Sequence, residues 1–470
     1  MGAGVQLAPV PQTDLARIPG VVAGLRQAFE SGKSRPLAWR KEQLGRLRAL
    51  FTENTERLIA ALQADLGKPE IEAYTTDLSV FVQEIDLILA NLERWTKPEA
   101  VTTPFTVKPG SSRILREPLG VVLVISPWNY PVQLLLSPLA GSIAAGNCTL
   151  LKPSELTETV SATLAELVPQ YMDRDCVALV EGGIPQTNAL LEQRFDHIFY
   201  TGNGAVARIV MRAAAEHLTP VTLELGGKSP CIIAKDANLD VAARRIAWGK
   251  WLNAGQTCIA PDYVLVEESV EEAFLEKLRA TIKEFYGDDP LKTSDFGRIV
   301  NERHHGRLMG LLEGQPVWHG GRSDVASRYI EPTIVRNPAP DSKLMQDEIF
   351  GPILAVLKVE SVDAAIRFVN AREKPLALYV FSSSENTSEA VLNQTSSGGA
   401  CVNATIWHVA NPHLPFGGVG PSGMGSYHGR ATFETLSHHK SVVSKSTWID
   451  PKIAYPPYTA FKRNLLRRVM

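Results

Sequence analysis

Gly120-Val121-Val122-Leu123-Val124-Ile125 runs straight into Ser126-Pro127-Trp128-Asn129-Tyr130-Pro131, and this stretch decides the fold. Its first half is a short, unbroken apolar run rich in β-branched residues, which is the pattern of a strand buried on both faces. Two prolines then end the strand. The chain from Pro131 to Leu151 is strongly apolar but is interrupted by Gln133, Pro138, Gly141, Gly146 and Asn147. That makes it a poor membrane span and a good buried helix leading into a second buried strand.

Reading outward, the same alternation repeats. Cys148 to Leu151, Cys176 to Val180 and His197 to Tyr200 are strand-like, with helical stretches at Thr157 to Leu167 and Gly204 to His217. Short apolar strands separated by helices predict a parallel sheet covered on both faces. Upstream, Leu25, Phe29, Leu44, Leu47, Leu50, Phe51, Leu58, Ile59 and Leu62 recur at helical spacing, and Leu78 to Trp95 continues in that style. Lys97 to Ser112, with Pro98, Pro104, Pro109 and Gly110, breaks the pattern and reads as an excursion. Downstream, the strands Tyr263 to Val266, Ile353 to Leu357, Leu378 to Phe381 and Ala400 to Asn403, with helices Glu271 to Phe285 and Ser361 to Asn370, predict a second α/β unit.

Composition narrows the function. With 470 residues, 44% hydrophobic and 21% charged, the chain can hold two or three domains. A net charge of -2, with no basic stripe beyond Lys462-Arg463 and Arg467-Arg468, argues against nucleic acid as a partner. Five cysteines without close spacing suggest neither a disulfide framework nor a metal knuckle, so no metal is expected and a reducing, cytoplasmic setting is. Met1 to Gly20 lacks a basic start followed by an apolar run, so no export leader is expected, and Gln6 spoils a myristoylation signal.

Three residues stand out chemically. Cys258 ends Asn253-Ala254-Gly255-Gln256-Thr257-Cys258, flanked by small and polar residues that favour a cleft, although a cysteine taken at random is usually a small core hydrophobe. Glu224 lies in Thr222-Leu223-Glu224-Leu225-Gly226-Gly227-Lys228, an acid inside an apolar strand. Such a carboxylate is either paired for structure or poised as a base. Asn129 follows the decisive strand at its carboxyl end, where α/β sheets open their ligand clefts; it is either a turn residue or an oxyanion donor.

These residues, with their neighbours, resemble the aldehyde dehydrogenase superfamily. Pro127-Trp128-Asn129, Glu224-Leu225-Gly226-Gly227-Lys228, Gly255-Gln256-Thr257-Cys258, Glu348-Ile349-Phe350-Gly351-Pro352 and Pro415-Phe416-Gly417-Gly418 are similar to the family's motifs in order and spacing, from about Lys41 to Lys445. Ser426-Tyr427-His428-Gly429 and Ser437-His438-His439-Lys440 point to the class-three, fatty-aldehyde branch. The resemblance implies two Rossmann-like α/β domains with parallel sheets plus a small bridging and oligomerisation element. Its parts fall at 1–95 and 115–223 for dinucleotide binding, 224–425 for catalysis, 96–114 and 426–446 for the bridge, and 447–470 for a C-terminal tail helix.

It also implies a chemistry: oxidation of an aldehyde to a carboxylic acid with NAD, NADP also being admissible. Cys258 would form a thiohemiacetal and then a thioester, Asn129 and the Cys258 N–H would hold the oxyanion, and Glu224 would serve as base for hydrolysis. Lys152 is either a solvated strand end or, by resemblance, a ligand of the adenosine ribose; Glu155 beside it would repel a 2′-phosphate and so leans towards NAD. Gly202 and Asn203 begin a glycine-rich turn into a helix, though Ala207 stands where a second glycine is usual. Glu348 is assigned by resemblance to the nicotinamide ribose, and Phe350 and Trp128 to its surroundings, with plain core packing the alternative for Phe350.

Tyr130, Trp251, Ile406 and Trp407 are the expected lining of a substrate tunnel for medium- or long-chain aliphatic, aromatic or polyene aldehydes. A homodimer joined through the bridge is expected from the class-three branch. In the tail, Phe461, Leu465, Leu466 and Val469 share one helical face and the arginines lie mostly on the other. This fits a helix packed on its own protein, a peripheral membrane contact or a cover for the tunnel mouth. A CoA-acylating enzyme and a non-catalytic nucleotide-binding or structural protein are the rival readings; Glu224, retained for hydrolysis, weighs against the first, and the intact Cys258, Glu224 and Asn129 against the second.

Overall fold

The computed structural model describes residues 12–469; the leader and myristoylation readings over residues 1–11, and the terminal Met470, lie outside the described residues. The strand read from Gly120 to Ile125 runs Val121–Ile125 and is buried throughout. Its side chains divide between two cores. Val122 and Val124 pack with Leu135, Leu139 and Ile143 of the helix Gln133–Ala145, while Val121, Leu123 and Ile125 pack with Ile18, Val22 and Leu25 of the helix Ile18–Glu30. A strand sandwiched in this way has no polar face to show, which is why its sequence does not alternate.

Six strands form the first sheet, in the order Gly423–Met424, Val221–Glu224, His197–Thr201, Val121–Ile125, Cys148–Lys152 and Val177–Leu179. All pairs are parallel except the first. The register sets Ile125 beside Lys152 and Tyr200, and Thr201 beside Glu224. The residues that follow these strands therefore share one crevice at the carboxyl edge, where open α/β sheets bind ligands.

The second sheet has seven strands, ordered Val317–His319, Thr333–Arg336, Ile353–Val359, Tyr263–Glu267, Pro230–Ile233, Ala377–Phe381 and Gly399–Val402, parallel apart from the first. A third sheet is small and antiparallel: Glu99–Val101, Gly110–Pro118 and Ser437–Lys445.

The expected part boundaries shift in three places. The bridging strand continues past 114 to Pro118. Residues 426–436 lie outside the small sheet: the helix Arg430–Thr435 packs on Gln133–Ala145. Gly423–Met424, expected in the catalytic part, closes the first sheet by pairing with Glu224 and Leu223. In the tail the α-helix spans Ala460–Val469, and its main contact is with the short 3-10 helix Lys452–Ala454.

Candidate active site

The loop that carries Cys258 joins the helix Leu239–Trp251 to the strand Tyr263–Glu267. Three successive residues in it, Asn253, Ala254 and Gly255, have φ of +51°, +52° and +75°. Gly255 must be glycine on two counts: its conformation is left-handed, and a Cβ there would sit 2.2 Å from the carbonyl oxygen of Gly351. Gln256 pins the turn, donating from Nε2 to the carbonyls of Asn253 (3.0 Å) and Arg298 (2.9 Å) and accepting the Val300 N–H at 3.0 Å. Cys258 is left half-buried on the wall of a cavity of about 390 Å³. Burial, aided by Glu348 and Glu224, pushes its thiol up to about 12, while the N–H groups of Cys258 and Ile259 pull the other way.

Glu224 ends its strand, lines the same cavity and is 2% exposed. Neither carboxylate oxygen has a hydrogen-bond partner among the described residues, and burial raises its pKa well above the usual carboxylate range. Of the two roles open to it, the structural ion pair has no cation here. Asn129 is 2% exposed and held at both ends: Nδ2 donates to the Gln256 carbonyl at 3.1 Å, and its own carbonyl accepts from Asn253 Nδ2 at 2.9 Å and Lys68 Nζ at 3.3 Å. One amide N–H of Asn129 remains uncommitted. Lys68 forms a fully buried ion pair with Asp77 at 2.6 Å and lies 4.1 Å from the centre of the Tyr130 ring. No sequence signal marked Lys68 or Asp77, since a lysine after Gly67 reads as a solvated helix end.

The residues expected at the cofactor gather along the carboxyl edge of the first sheet. Lys152 is 2% exposed, with Nζ 2.6 Å from the Pro153 carbonyl and 3.6 Å from Glu155. Gly202 leads into Asn203, whose side chain caps the helix Gly204–Glu216 by accepting the Val206 N–H at 3.0 Å. Ala207 turns inwards and packs with Ile125, Tyr200 and Val210, so its methyl fills the helix–sheet contact and stays out of the crevice. Glu348 is pushed up to about 8 by burial and Asp262, and takes a bond from the Gly227 N–H. A Cβ on Gly226 would lie 2.2 Å from Glu348 Oε2, so the Gly226-Gly227 pair gives this carboxylate its room. Lys228, bonded to Asp262 and to the carbonyls of Leu344 and Asp347 at 2.8 Å each, fixes the approach to it. Phe350, at φ +50°, meets Trp128 edge-on with ring centres 5.3 Å apart. The buried hydroxyls of Ser126 and Thr201, at the ends of two neighbouring strands, have no partners. A hydroxyl-rich dinucleotide lying across these strand ends suits this donor set.

The cavity is mostly apolar. Tyr130, Ile406 and Trp407 line it as expected, and the Tyr130 and Thr257 hydroxyls share a 2.6 Å hydrogen bond. Trp251 does not line it. That indole is fully buried and donates to the Pro352 carbonyl at 3.0 Å, because it falls on the core face of its helix. One turn earlier, Trp248 takes the expected place and stacks on Trp407 with centres 5.4 Å apart. Thr201, Gln133, Phe416 and Tyr427 also line the wall; the helical period around Trp251 signals Trp248, whereas the other four come from distant segments. Among the described residues no part of the tail from 447 onwards lines the cavity, no cluster of three metal-ligating side chains occurs, and no helix is long and apolar enough to cross a membrane.

A thiol and an unpaired buried carboxylate on one cavity, with a fixed carboxamide bonded to the loop that carries the thiol, suit covalent attack on a carbonyl followed by hydrolysis. Comparison with known proteins agrees. The aldehyde dehydrogenase family model matches residues 3–442. The chain is 51% identical to mouse (Mus musculus) aldehyde dehydrogenase family 3 member A2 over 94% of its length and 92% of the relative's. It is 50% identical to the dog (Canis lupus familiaris) aldehyde dehydrogenase described as dimeric and NADP-preferring, over 95% and 99%. A substrate-bound Staphylococcus aureus AldH superposes with a TM-score of 0.94 at 44% identity, covering 96% of this chain and 99% of that one. The chain belongs to the aldehyde dehydrogenase family, in the class-three branch, and is an enzyme that oxidises aldehydes with NAD(P).

Proposed function

We propose that in this aldehyde dehydrogenase Cys258 is the nucleophile, Asn129 an oxyanion donor and Glu224 the base of the hydrolytic step. The Cys258 thiol first loses its proton to solvent; the thiolate then adds to the aldehyde carbonyl, the C=O π pair moving to oxygen, and the alkoxide of the thiohemiacetal is held by the free N–H of Asn129 and the Cys258 main-chain N–H. When bound, the nicotinamide supplies a positive charge that offsets the neighbouring carboxylates and the ring carbon that takes up the hydride. The thioester left on Cys258 is attacked by water, whose proton goes to Glu224. The carrying observation is the pair of buried, unpartnered Glu224 oxygens on the cavity shared with Cys258. A carboxylate kept for structure would be paired.

Lys152 and Glu155 are assigned to the adenosine ribose, the amides behind Gly202 and Asn203 to the pyrophosphate, and Glu348, with Phe350 and Trp128, to the nicotinamide riboside. The exposed Glu155 favours NAD over NADP. The apolar wall of Trp248, Ile406, Trp407 and Phe416 favours medium- or long-chain aliphatic, aromatic or polyene aldehydes, in a cavity of the size usual for small-molecule sites, about 300–1,000 Å³. CoA-dependent acylation is disfavoured because it needs no base such as Glu224.

The enzyme is further proposed to be a homodimer joined through the small sheet. The strand Ser437–Lys445 is nine residues long, mostly exposed and paired on one side only, an edge that another chain can extend. The tail helix, with Phe461 74% exposed beside Arg467 and Arg468, suits peripheral contact with a cytoplasmic membrane face. Initial rates for aldehydes of graded chain length, with NAD and NADP in parallel, test the substrate and cofactor assignments; uniform sluggishness across the panel overturns the first. Cys258→Ser is expected to abolish aldehyde oxidation.

A further inference from the structure

The thiol loop is held in a conformation that only glycine adopts freely. Asn253 and Ala254 are left-handed although both carry a Cβ, and they stand five and four residues before Cys258. Such a turn persists only where its surroundings fix it. Besides the bonds of Gln256 to Arg298 and Val300, the turn is held from outside the loop by Glu72, whose Oε2 accepts the main-chain N–H of Asn253, the first of the left-handed residues, at 2.9 Å. Asn253 then passes the constraint on, donating from Nδ2 to the carbonyls of Asn129 (2.9 Å) and Gln256 (3.2 Å), the latter also accepting from Asn129 Nδ2 at 3.1 Å. Glu72 itself does not line the substrate cavity.

We propose that Glu72 is a positioning residue, its carboxylate holding the Asn253 amide and through it the left-handed turn that sets Cys258 on the cavity wall and Asn129 against the thiol loop. This rests on the reading of Cys258 as nucleophile. The groups that face Glu72 are few. Lys68 favours its charge but is itself engaged by Asp77; Asp295 opposes it, and Tyr130 and Tyr286 lie close enough for their phenols to feel it. Burial dominates and raises the carboxyl to about 7. The turn is therefore gripped by an anion above neutral pH and by a weaker, neutral acceptor below it.

Glu72→Gln keeps the shape and an acceptor oxygen but cannot ionise. The test is the rate constant of first-turnover NADH formation by stopped flow, taken as the ratio of variant to wild type at pH 6 and pH 8.5. Glu224 and Glu348 titrate in both proteins and cancel in the ratio. Replacing a charge-assisted hydrogen bond by a neutral one predicts a variant about fivefold slower at pH 8.5 and equal to wild type at pH 6. A ratio of one at both pH values overturns the assignment, and so does a ratio below one that does not change with pH, which marks a merely structural contact. Cys258→Ser is measured alongside: turnover by that variant defeats the nucleophile reading, whereas an inactive Cys258→Ser with a flat Glu72→Gln ratio defeats only the role given to Glu72.

Discussion

Glu224→Gln tests the hydrolytic role proposed for Glu224 and is expected to separate the two halves of the reaction. The substitution leaves the side chain's size in place but removes the unpaired buried carboxylate on the wall beside Cys258. A positioned general base contributes about 10²- to 10⁴-fold, so steady-state turnover is expected to fall at least about 10²-fold in the variant. The first half does not need this base, and it gains, because the Glu224 charge is one of the causes that raise the thiol. Rapid mixing with saturating aldehyde and NAD should therefore show one NADH per active subunit at a rate no slower than wild type, followed by a stall at the thioester. Stability supplies a second readout. A carboxyl whose folded pKa is raised destabilises the fold increasingly as pH rises from the unfolded pKa to the folded one; for Glu224 that slope starts near the usual 4.5 and extends well above it. Glutamine lacks the slope, so the variant's melting temperature relative to wild type should climb as pH rises above about 4.5. Normal steady turnover would remove Glu224 from deacylation. Loss of the burst would move the residue to thiol activation instead.

With the thiol at about 12, only about one Cys258 in ten thousand is ionised at pH 8, so alkylation of the cofactor-free enzyme by iodoacetamide should be slow and rise about tenfold per pH unit. A plateau below pH 9, followed by mass spectrometry of the Cys258 peptide, would contradict this. Asn129→Ala should cost about 3–4 kcal/mol of transition-state stabilisation, seen as turnover slowed by about two orders of magnitude or more; an unchanged turnover rate would exclude the oxyanion role. The two tryptophans one helical turn apart should part company: Trp248→Ala should raise KM for long-chain aldehydes with little loss of fold, whereas Trp251→Ala should cost about 3–5 kcal/mol in denaturant unfolding.

Most of the scaffold was legible because it is local. Val121–Ile125, Cys148–Lys152 and Tyr263–Glu267 are buried on both faces, and such strands announce themselves as unbroken apolar runs. Gly204–Glu216 was legible from its amphipathic pattern and from the turn before it. The exchange of Trp248 for Trp251 shows the limit. A tryptophan is amphipathic enough for either a core or a cavity, and only the rotation of the helix decides which face it takes. The strand at 423–424 was missed because two residues carry no period, and its place in the sheet is set by pairing with Glu224 rather than by its own side chains.

What sequence could not convey is the reason its own motifs take the form they do. Gly226 looks like a turn residue, yet its lack of a Cβ makes room for the Glu348 carboxylate, more than a hundred positions later. Gly255 likewise yields to the Gly351 carbonyl, so the glutamate–glycine–glycine, thiol and Glu-Ile-Phe-Gly-Pro segments are three faces of one packing arrangement. Burial raises the pKa of the Cys258 thiol, and that arrangement brings Glu348 and Glu224 close enough to raise it further. In the mechanism proposed for Cys258, a thiol kept protonated in the resting enzyme is shielded from stray electrophiles. The same glycine-dependent contacts that build the site therefore also set the charge around its thiol.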